Sequence, residues 1–225
     1  MADRLRDYFY SHTAGQGIWK WDHYFEIYDR HFNKFRGQEV HILEIGIYSG
    51  GSLNMWRDYF GPRARIYGVD IDPSCKSYER DEVKILIGDQ ANRDFWRHFR
   101  NVVPMLDIVV DDGGHEAVQQ IVSLEELLPH IRPGGVYLCE DVHGYPGNQF
   151  ASYVHELAHQ LNDHRGAEAN TENNDRRIVK ATTPSQAEIN SIHIYPYVTV
   201  FEKNVTPVKE LIAPKRGTEW QPFLK

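Results

Sequence analysis

Two stretches of the chain bring acids, glycines and a histidine together: Asp111-Asp112-Gly113-Gly114-His115 and Glu140-Asp141-Val142-His143. Each follows a short apolar run, LDIVV and GVYLC. If both runs are strands of one parallel sheet and lie side by side, their carboxyl ends stand about 5 Å apart. Asp112, Glu140 and Asp141 then converge beside His115. Carboxylates so close repel one another unless a cation neutralises them. Hard oxygen donors suit Mg²⁺ or Mn²⁺. An imidazole, with an ordinary pKa of about 6.5, suits proton removal at neutral pH. The chemistry these residues point to is a metal-assisted deprotonation of a hydroxyl, with His115 as base. The competing reading of the same acids is a set of helix caps and solvated loop charges.

A second constellation lies upstream. In LEIGIYSGGS, Gly46, Gly50 and Gly51 follow an apolar run and precede a helical pattern. Glycines there allow a tight turn and close approach of the backbone to a ligand. The pattern is not the G-x-G-x-x-G of a dinucleotide binder. The next two apolar runs end in Asp70 and Asp72, then in Gly88-Asp89-Gln90. A carboxylate at the first place can accept ribose hydroxyls, and one at the second can meet an adenine amino group. Taken singly, Asp72 and Asp89 also fit as turn or cap residues.

These residues must be positioned by strands and helices in alternation. The segments 40–47, 64–72, 83–89, 106–112 and 135–141 are continuous apolar runs, expected of strands covered on both faces. Helical patterns fall at 52–60, 91–100, 117–131 and 151–164. In the third of these, Val118, Ile121, Val122, Leu124, Leu127, Leu128 and Ile131 form one apolar face, and Pro133-Gly134-Gly135 is expected to end the helix. Residues 191–204 read as two short strands joined near Tyr195-Pro196. The expected architecture is an α/β, Rossmann-like fold: a mostly parallel seven-stranded sheet with an antiparallel C-terminal strand and helices on both faces. The chain reads as a single domain, 1–225. Residues 1–39 form an aromatic-rich helical or lid segment, 40–204 the core and 205–225 an extended tail. The stretch 165–177 is polar and turn-rich and is expected to be a mobile loop.

The motif order resembles the class I S-adenosylmethionine-dependent methyltransferases. Glu44, Gly46, Ser49 and Gly50 match their first motif, Asp70 the ribose carboxylate, and Asp89 with Gln90 the adenine contact. The cofactor shell this implies is Glu44, Gly46, Tyr48, Ser49, Gly50, Ser52, Asp70, Asp72, Asp89, Gln90 and Asp111. DDGGH followed by GGVYLCEDVH resembles, within that class, the metal-dependent sugar O-methyltransferases of macrolide biosynthesis, of the mycinamicin and demethylmacrocin type. The resemblance implies S-adenosyl-L-methionine and Mg²⁺ (or Mn²⁺) as cofactors, Asp112, Glu140 and Asp141 as metal ligands, and His115 as the base. The acceptor would be a hydroxyl of a sugar or another small natural product, with His143 and Tyr145 in its pocket. Those macrolide enzymes carry a separate N-terminal domain, whereas only a short helical lid is expected here. Cephalosporin-hydroxylase-like proteins share DDGGH-type motifs, so an oxidative enzyme on the same fold is the second reading. A non-catalytic cofactor-binding module is the third.

Composition agrees with a folded enzyme. Hydrophobic residues make up 41% and charged residues 25% of the 225. The net charge of −7 argues against a general nucleic-acid binder, which needs a basic face. No apolar run approaches the roughly 20 residues of a membrane span. The N-terminus lacks the apolar stretch of a signal peptide, and two cysteines make no disulfide framework. A cytoplasmic setting is expected. A homo-oligomer is also expected, with the aromatic N-terminus and proline-rich tail as interface. Cys139 is expected to be a buried thiol, Trp19 and Trp21 to pack in the core, and His155, His159 and His164 to lie on a solvated helix face.

Overall fold

The computed structural model describes residues 4–144, 148–163, 167–169, 176–179, 182–214 and 216–219. Two helices, α1 (Arg4–Ser11) and α2 (Tyr24–Phe32), come first. Then β1 (His41–Ile45), α3 (Gly51–Phe60), β2 (Arg65–Asp70), β3 (Val83–Ile87), α4 (Arg93–Val102), β4 (Leu106–Asp111), α5 (Ala117–Leu127) and β5 (Ile131–Cys139) alternate. α6 (Gln149–Leu161), β6 (Ala167–Ala169), β7 (Arg176–Val179), α7 (Pro184–Glu188), β8 (Ile189–Tyr195), β9 (Val198–Lys203) and β10 (Leu211–Pro214) complete the chain.

The main sheet has seven strands in the order β3-β2-β1-β4-β5-β9-β8. β1 to β5 pair in parallel, and β9 runs antiparallel to both β5 and β8. The order reverses between β1 and β4, which opens a crevice at their carboxyl ends. Both faces are covered. On one face Ile42, Ile66, Ile108, Val110, Val136 and Leu138 pack under α1, α2 and α3. On the other, Leu43, Val69, Val109 and Tyr137 pack under α4, α5 and α6. Burial on both sides is why these strands read as unbroken apolar runs.

Four expectations change. Val118 is 58% exposed, because α5 buries Gln120, Val122, Ser123, Leu124 and Leu127 instead. β5 begins at Ile131, so Pro133-Gly134-Gly135 lies inside the strand rather than ending the helix. Parts of 165–177 and of the tail pair with each other, as a small antiparallel sheet β10-β7-β6. Pairing across the chain supplied what local polarity did not show. Trp19 and Trp21 are 87% and 52% exposed, not core residues. Cys139 is buried, and His155 and His159 are exposed on α6, as expected. His164 and Tyr145 lie outside the described residues. Among the described residues, no helix is long and apolar enough to cross a membrane.

α2 matters because it carries side chains into the crevice. It is rooted by Tyr28 and Phe32 against Trp56 of α3, all fully buried. Its outer end is bracketed to the sheet by His31. The His31 Nδ1 lies 3.0 Å from Glu202 Oε1, and its Nε2 lies 2.9 Å from the Tyr195 hydroxyl. His193 approaches the same glutamate at 3.8 Å. Burial pushes His31 below its ordinary pKa, although Glu202 opposes this. The folded chain therefore resists a proton that the unfolded chain accepts below about pH 6.5. Stability from this bracket is present above that pH and is lost as pH falls toward the folded value. Urea unfolding at about pH 7.5 and about pH 5.5 should show a larger loss in the wild type than in His31→Gln. Equal losses would exclude a neutral buried His31.

Candidate active site

The pleat decides which acids meet. Side chains alternate between faces with a period of two. Glu44, Asp112 and Glu140 continue the parity of Ile42, Val110 and Leu138, so they stand on the α1–α3 side. Asp111 and Cys139 continue the parity of Val109 and Tyr137 and stand on the other. The registers Glu44↔Val110 and Val110↔Leu138 put the first three close together along adjacent strands.

Asp111 is accordingly spent inside the fold. It accepts hydrogen bonds from the Tyr137 hydroxyl at 2.6 Å and from Gln90 Nε2 at 3.0 Å, and is 1% exposed. Burial raises its pKa to about 6, against the pull of those two donors. Gln90 also donates to Ser123 Oγ, and its Oε1 accepts from the Gly114 backbone N–H. Every polar atom of the carboxamide is thus engaged in holding the Asp112–His115 turn. Gly113 is needed for this, since a Cβ there would lie 1.8 Å from Gln90 Oε1. Gln90 reaches the cleft wall, but its side chain is a brace.

The cleft above the switch point has a volume of about 880 Å³. Of the expected cofactor residues, Gly46, Tyr48, Ser49, Ser52, Asp70, Asp72, Asp89 and Gln90 line it, whereas Glu44, Gly50 and Asp111 do not. Gly46 has φ +81°, and a Cβ on it would sit 2.0 Å from the Asp112 carbonyl oxygen. Only glycine lets the ends of β1 and β4 approach so closely. Asp70 accepts from the Ile47 and Tyr48 backbone N–H groups, which ties the glycine turn to the end of β2. Asp72 caps the following 3₁₀ turn by accepting from Ser74 N, which lowers its pKa. Asp89 accepts from Ala91 N and is exposed. Glu44 is buried, accepts from Ser52 Oγ at 2.7 Å, and has its pKa raised chiefly by burial.

Across the cleft, Asp112, His115 and Asp141 offer ligand atoms all within 4.8 Å of one another. His115 Nε2 is 3.7 Å from Asp141 Oδ2, while its buried Nδ1 makes no hydrogen bond among the described residues. His115 and Asp141 both have positive φ, at +59° and +50°, as does Tyr48 at +46°. Strained backbone of this kind persists where the surroundings hold it, commonly at functional sites. His143 lines the cleft and stacks edge-on against Tyr197.

Glu140 faces a different set. The Lys20 ammonium lies 2.6 Å from Asp112 Oδ2, 3.1 and 3.0 Å from the two Glu140 oxygens, and 3.5 Å from Glu44 Oε1. The Tyr28 hydroxyl donates to Glu140 at 2.6 Å. Burial, then Asp112, pushes the Glu140 pKa well up, against Lys20 and Tyr28. Burial alone would lower that of Lys20, but Asp112, Glu140 and Glu44 outweigh it and hold it well above its ordinary value. Asp141 Oδ1 accepts from Trp21 Nε1 at 3.0 Å and from the Tyr24 hydroxyl at 2.7 Å. The segment Gly17–Asp22 forms a strap along the cleft wall, and with α2 it orients all three expected metal carboxylates.

A methyltransferase domain model matches residues 43–142. The mycinamicin VI 2''-O-methyltransferase of Micromonospora griseorubida is 43% identical over 124 residues, 51% of this chain and 30% of that protein. The 8-demethyl-8-alpha-L-rhamnosyl tetracenomycin-C 2'-O-methyltransferase of Streptomyces olivaceus is 30% identical over 205 residues, 84% of this chain and 52% of that one. The solved MycE methyltransferase of the mycinamycin biosynthetic pathway, in complex with Mg and SAH, superposes with a TM-score of 0.70 at 27% identity. That superposition covers 90% of this chain and 54% of MycE. This chain shares the MycE fold, and its residues 43–142 are similar to a methyltransferase domain. It spans between 30% and 52% of the length of the curated relatives it matches.

Within this site, sequence reasoning missed Lys20, Tyr24 and Tyr28. A signal existed: three acids of one strand parity, buried together, demand a cation, and Trp19-Lys20-Trp21 offers one in an aromatic segment. The strand parity also separates Asp111 from Asp112. Gln90→Leu would leave the Gly114 N–H without its acceptor and Asp111 with Tyr137 as its remaining side-chain donor, and should cost about 1–3 kcal/mol for each buried group left unpaired. Asp89→Ala, at an exposed position, should stay within about 0.5 kcal/mol of wild type. Denaturant unfolding of both variants checks the contrast, and similar losses would contradict the brace.

Proposed function

We propose that this chain transfers a methyl group from S-adenosyl-L-methionine to a hydroxyl of a sugar moiety or similar small natural product, with a divalent cation, Mg²⁺ or Mn²⁺, in attendance. The observation that carries the reading is one cleft with two chemically distinct walls. One wall holds the glycine turn with Asp70 and Asp89 at successive strand ends, and the other holds Asp112, His115 and Asp141.

The first wall suits a nucleoside. Gly46 leaves room for close approach, the Asp70 carboxylate stands at ribose position, and Asp89 stands one strand further at adenine position. Tyr48 and Ser49 border the place for the methionine moiety. The second wall suits a hard cation: two carboxylates and an open imidazole, beside more acidic groups than Lys20 alone can neutralise. Asp112 and Asp141 would hold the ion directly, with Glu140 completing the set. When bound, S-adenosylmethionine supplies an electrophilic sulfonium methyl, and the cation supplies positive charge beside the acceptor hydroxyl.

The remaining work falls to the chain. His115 takes the hydroxyl proton, and Asp141 at 3.7 Å stabilises the imidazolium that results. Tyr24, on the fixed helix α2, holds Asp141 in place for that task. His143, stacked on Tyr197, borders the acceptor side. The rhamnosyl-tetracenomycin and L-olivosyl-oleandolide relatives carry O-methylation of a glycosylated compound in their names, which favours a glycosylated acceptor here.

Calorimetric titration with S-adenosylhomocysteine should show binding by the wild type and, undiminished, by His115→Ala. Turnover on a panel of glycosylated polyketides should fall about 10²- to 10⁴-fold in kcat/KM for His115→Ala, and should be lost in Asp112→Asn. Absence of S-adenosylhomocysteine binding by the wild type would sink the reading.

A further inference from the structure

We propose that Lys20 and the divalent cation exchange on the same carboxylates, so that the strap is latched onto Asp112 and Glu140 by its lysine and let go when the metal binds. The proposal rests on the metal reading above and concerns how that site is controlled.

The latch is complete as it stands. An ammonium has three N–H donors and no acceptor. Lys20 Nζ has Asp112, Glu140 and Glu44 around it, and its side chain is 3% exposed. Glu140 is equally closed: its side chain is 1% exposed, and its oxygens already face Lys20 and the Tyr28 hydroxyl. A hard cation binds carboxylate oxygen at about 2.0–2.1 Å. Seated on Glu140, it would stand close against an ammonium now 3.0 Å from the same oxygen. Charges of one sign at that spacing repel strongly at any protein dielectric. The two cations therefore cannot both keep Glu140.

Nor is the site at rest without either: a Glu140 carboxylate with no cation would be an uncompensated buried charge, relieved only by taking up a proton. Lys20 serves as the internal stand-in, and the metal replaces it with a larger charge.

The strap is built to permit the exchange. It is pinned at one end by the Gly51 N–H donating to the Gly17 carbonyl, where a Cβ on Gly51 would lie 2.5 Å from that oxygen. It is pinned at the other by Tyr24 on the buried face of α2. Between the pins, Trp19 lies in solvent, Trp21 is half exposed beside Tyr197, and Ile18 alone packs partly on the core, so only modest apolar burial holds this stretch down. Its grip on the cleft is polar: Lys20 on Asp112 and Glu140, and the Trp21 indole on Asp141. Because Gly17–Asp22 line the cleft, unlatching reshapes the wall beside the acceptor.

Two measurements on the full chain test the exchange, and the proposal requires both. Mn²⁺ titration followed by the paramagnetic resonance of the free ion should give Lys20→Met a Kd lower than wild type by about tenfold or more, while Lys20→Arg, which keeps the charge, stays near wild type. A Lys20→Met Kd equal to or above wild type overturns the proposal. On the wild type, acetylation of Lys20 by an amine-reactive ester, read by mass spectrometry, should be slow without metal and should quicken about tenfold or more at saturating Mn²⁺. Unchanged protection overturns it, even where Lys20→Met does not fold. Failure of both wild type and Lys20→Met to bind Mn²⁺ overturns it together with the metal reading. Failure of the wild type to bind S-adenosylhomocysteine alone sinks methyl transfer and leaves the exchange standing.

Discussion

Glu44, Asp112 and Glu140 rise from β1, β4 and β5 on one side of the sheet, and their mutual repulsion governs the architecture around them. Each is placed by strand parity, so none can turn away without breaking its strand. Burial makes the problem acute, since Glu44 and Glu140 are almost wholly withdrawn from water. The solution is to import charge and donors from elsewhere in the chain. Lys20 supplies the ammonium, Tyr28 and Ser52 supply hydroxyls, and α2 is fastened by Tyr28, Phe32 and Trp56 so that its tyrosines arrive at the right depth.

The same pleat gives the two faces different duties. Below the sheet, Asp111, Gln90, Ser123 and Tyr137 form a closed polar network that supports the DDGGH turn from behind. Above it, Asp112 and His115 are left open to the cleft. A buried network of this kind rigidifies only when each member is satisfied. Gln90 achieves that by engaging both ends of its carboxamide. Positive φ at His115, Asp141 and Tyr48 marks where the backbone is bent to present these residues.

Much of the fold was legible because it is repetitive. Apolar runs for β1 to β5, the helical patterns between them and the strand pair near Tyr195-Pro196 all rest on local periodicity, and the class I arrangement follows from their order. Glycine turn, acidic strand ends and DDGGH were legible for the same reason. What local pattern does not carry is pairing across distance. The β6, β7 and β10 sheet joins segments that look individually like loop and tail. Trp19 and Trp21 look like core residues by composition, yet they flank a lysine whose partners lie far along the chain. Asp111 and Gln90 read as ligand residues by position, and only their hydrogen bonds show that they also brace the turn.

The contact between Lys20 and its partners spans 92 residues to Asp112 and 120 to Glu140. On a growing chain the lysine is therefore made early and its carboxylates late. Loop closure over such separations is slow compared with forming a helix or hairpin. The strap must wait, unpaired, until β5 has been synthesised and docked beside β4. Assembly of the site consequently waits on the pairing of β4 with β5, and a chain that has formed only β1 to β3 still lacks it.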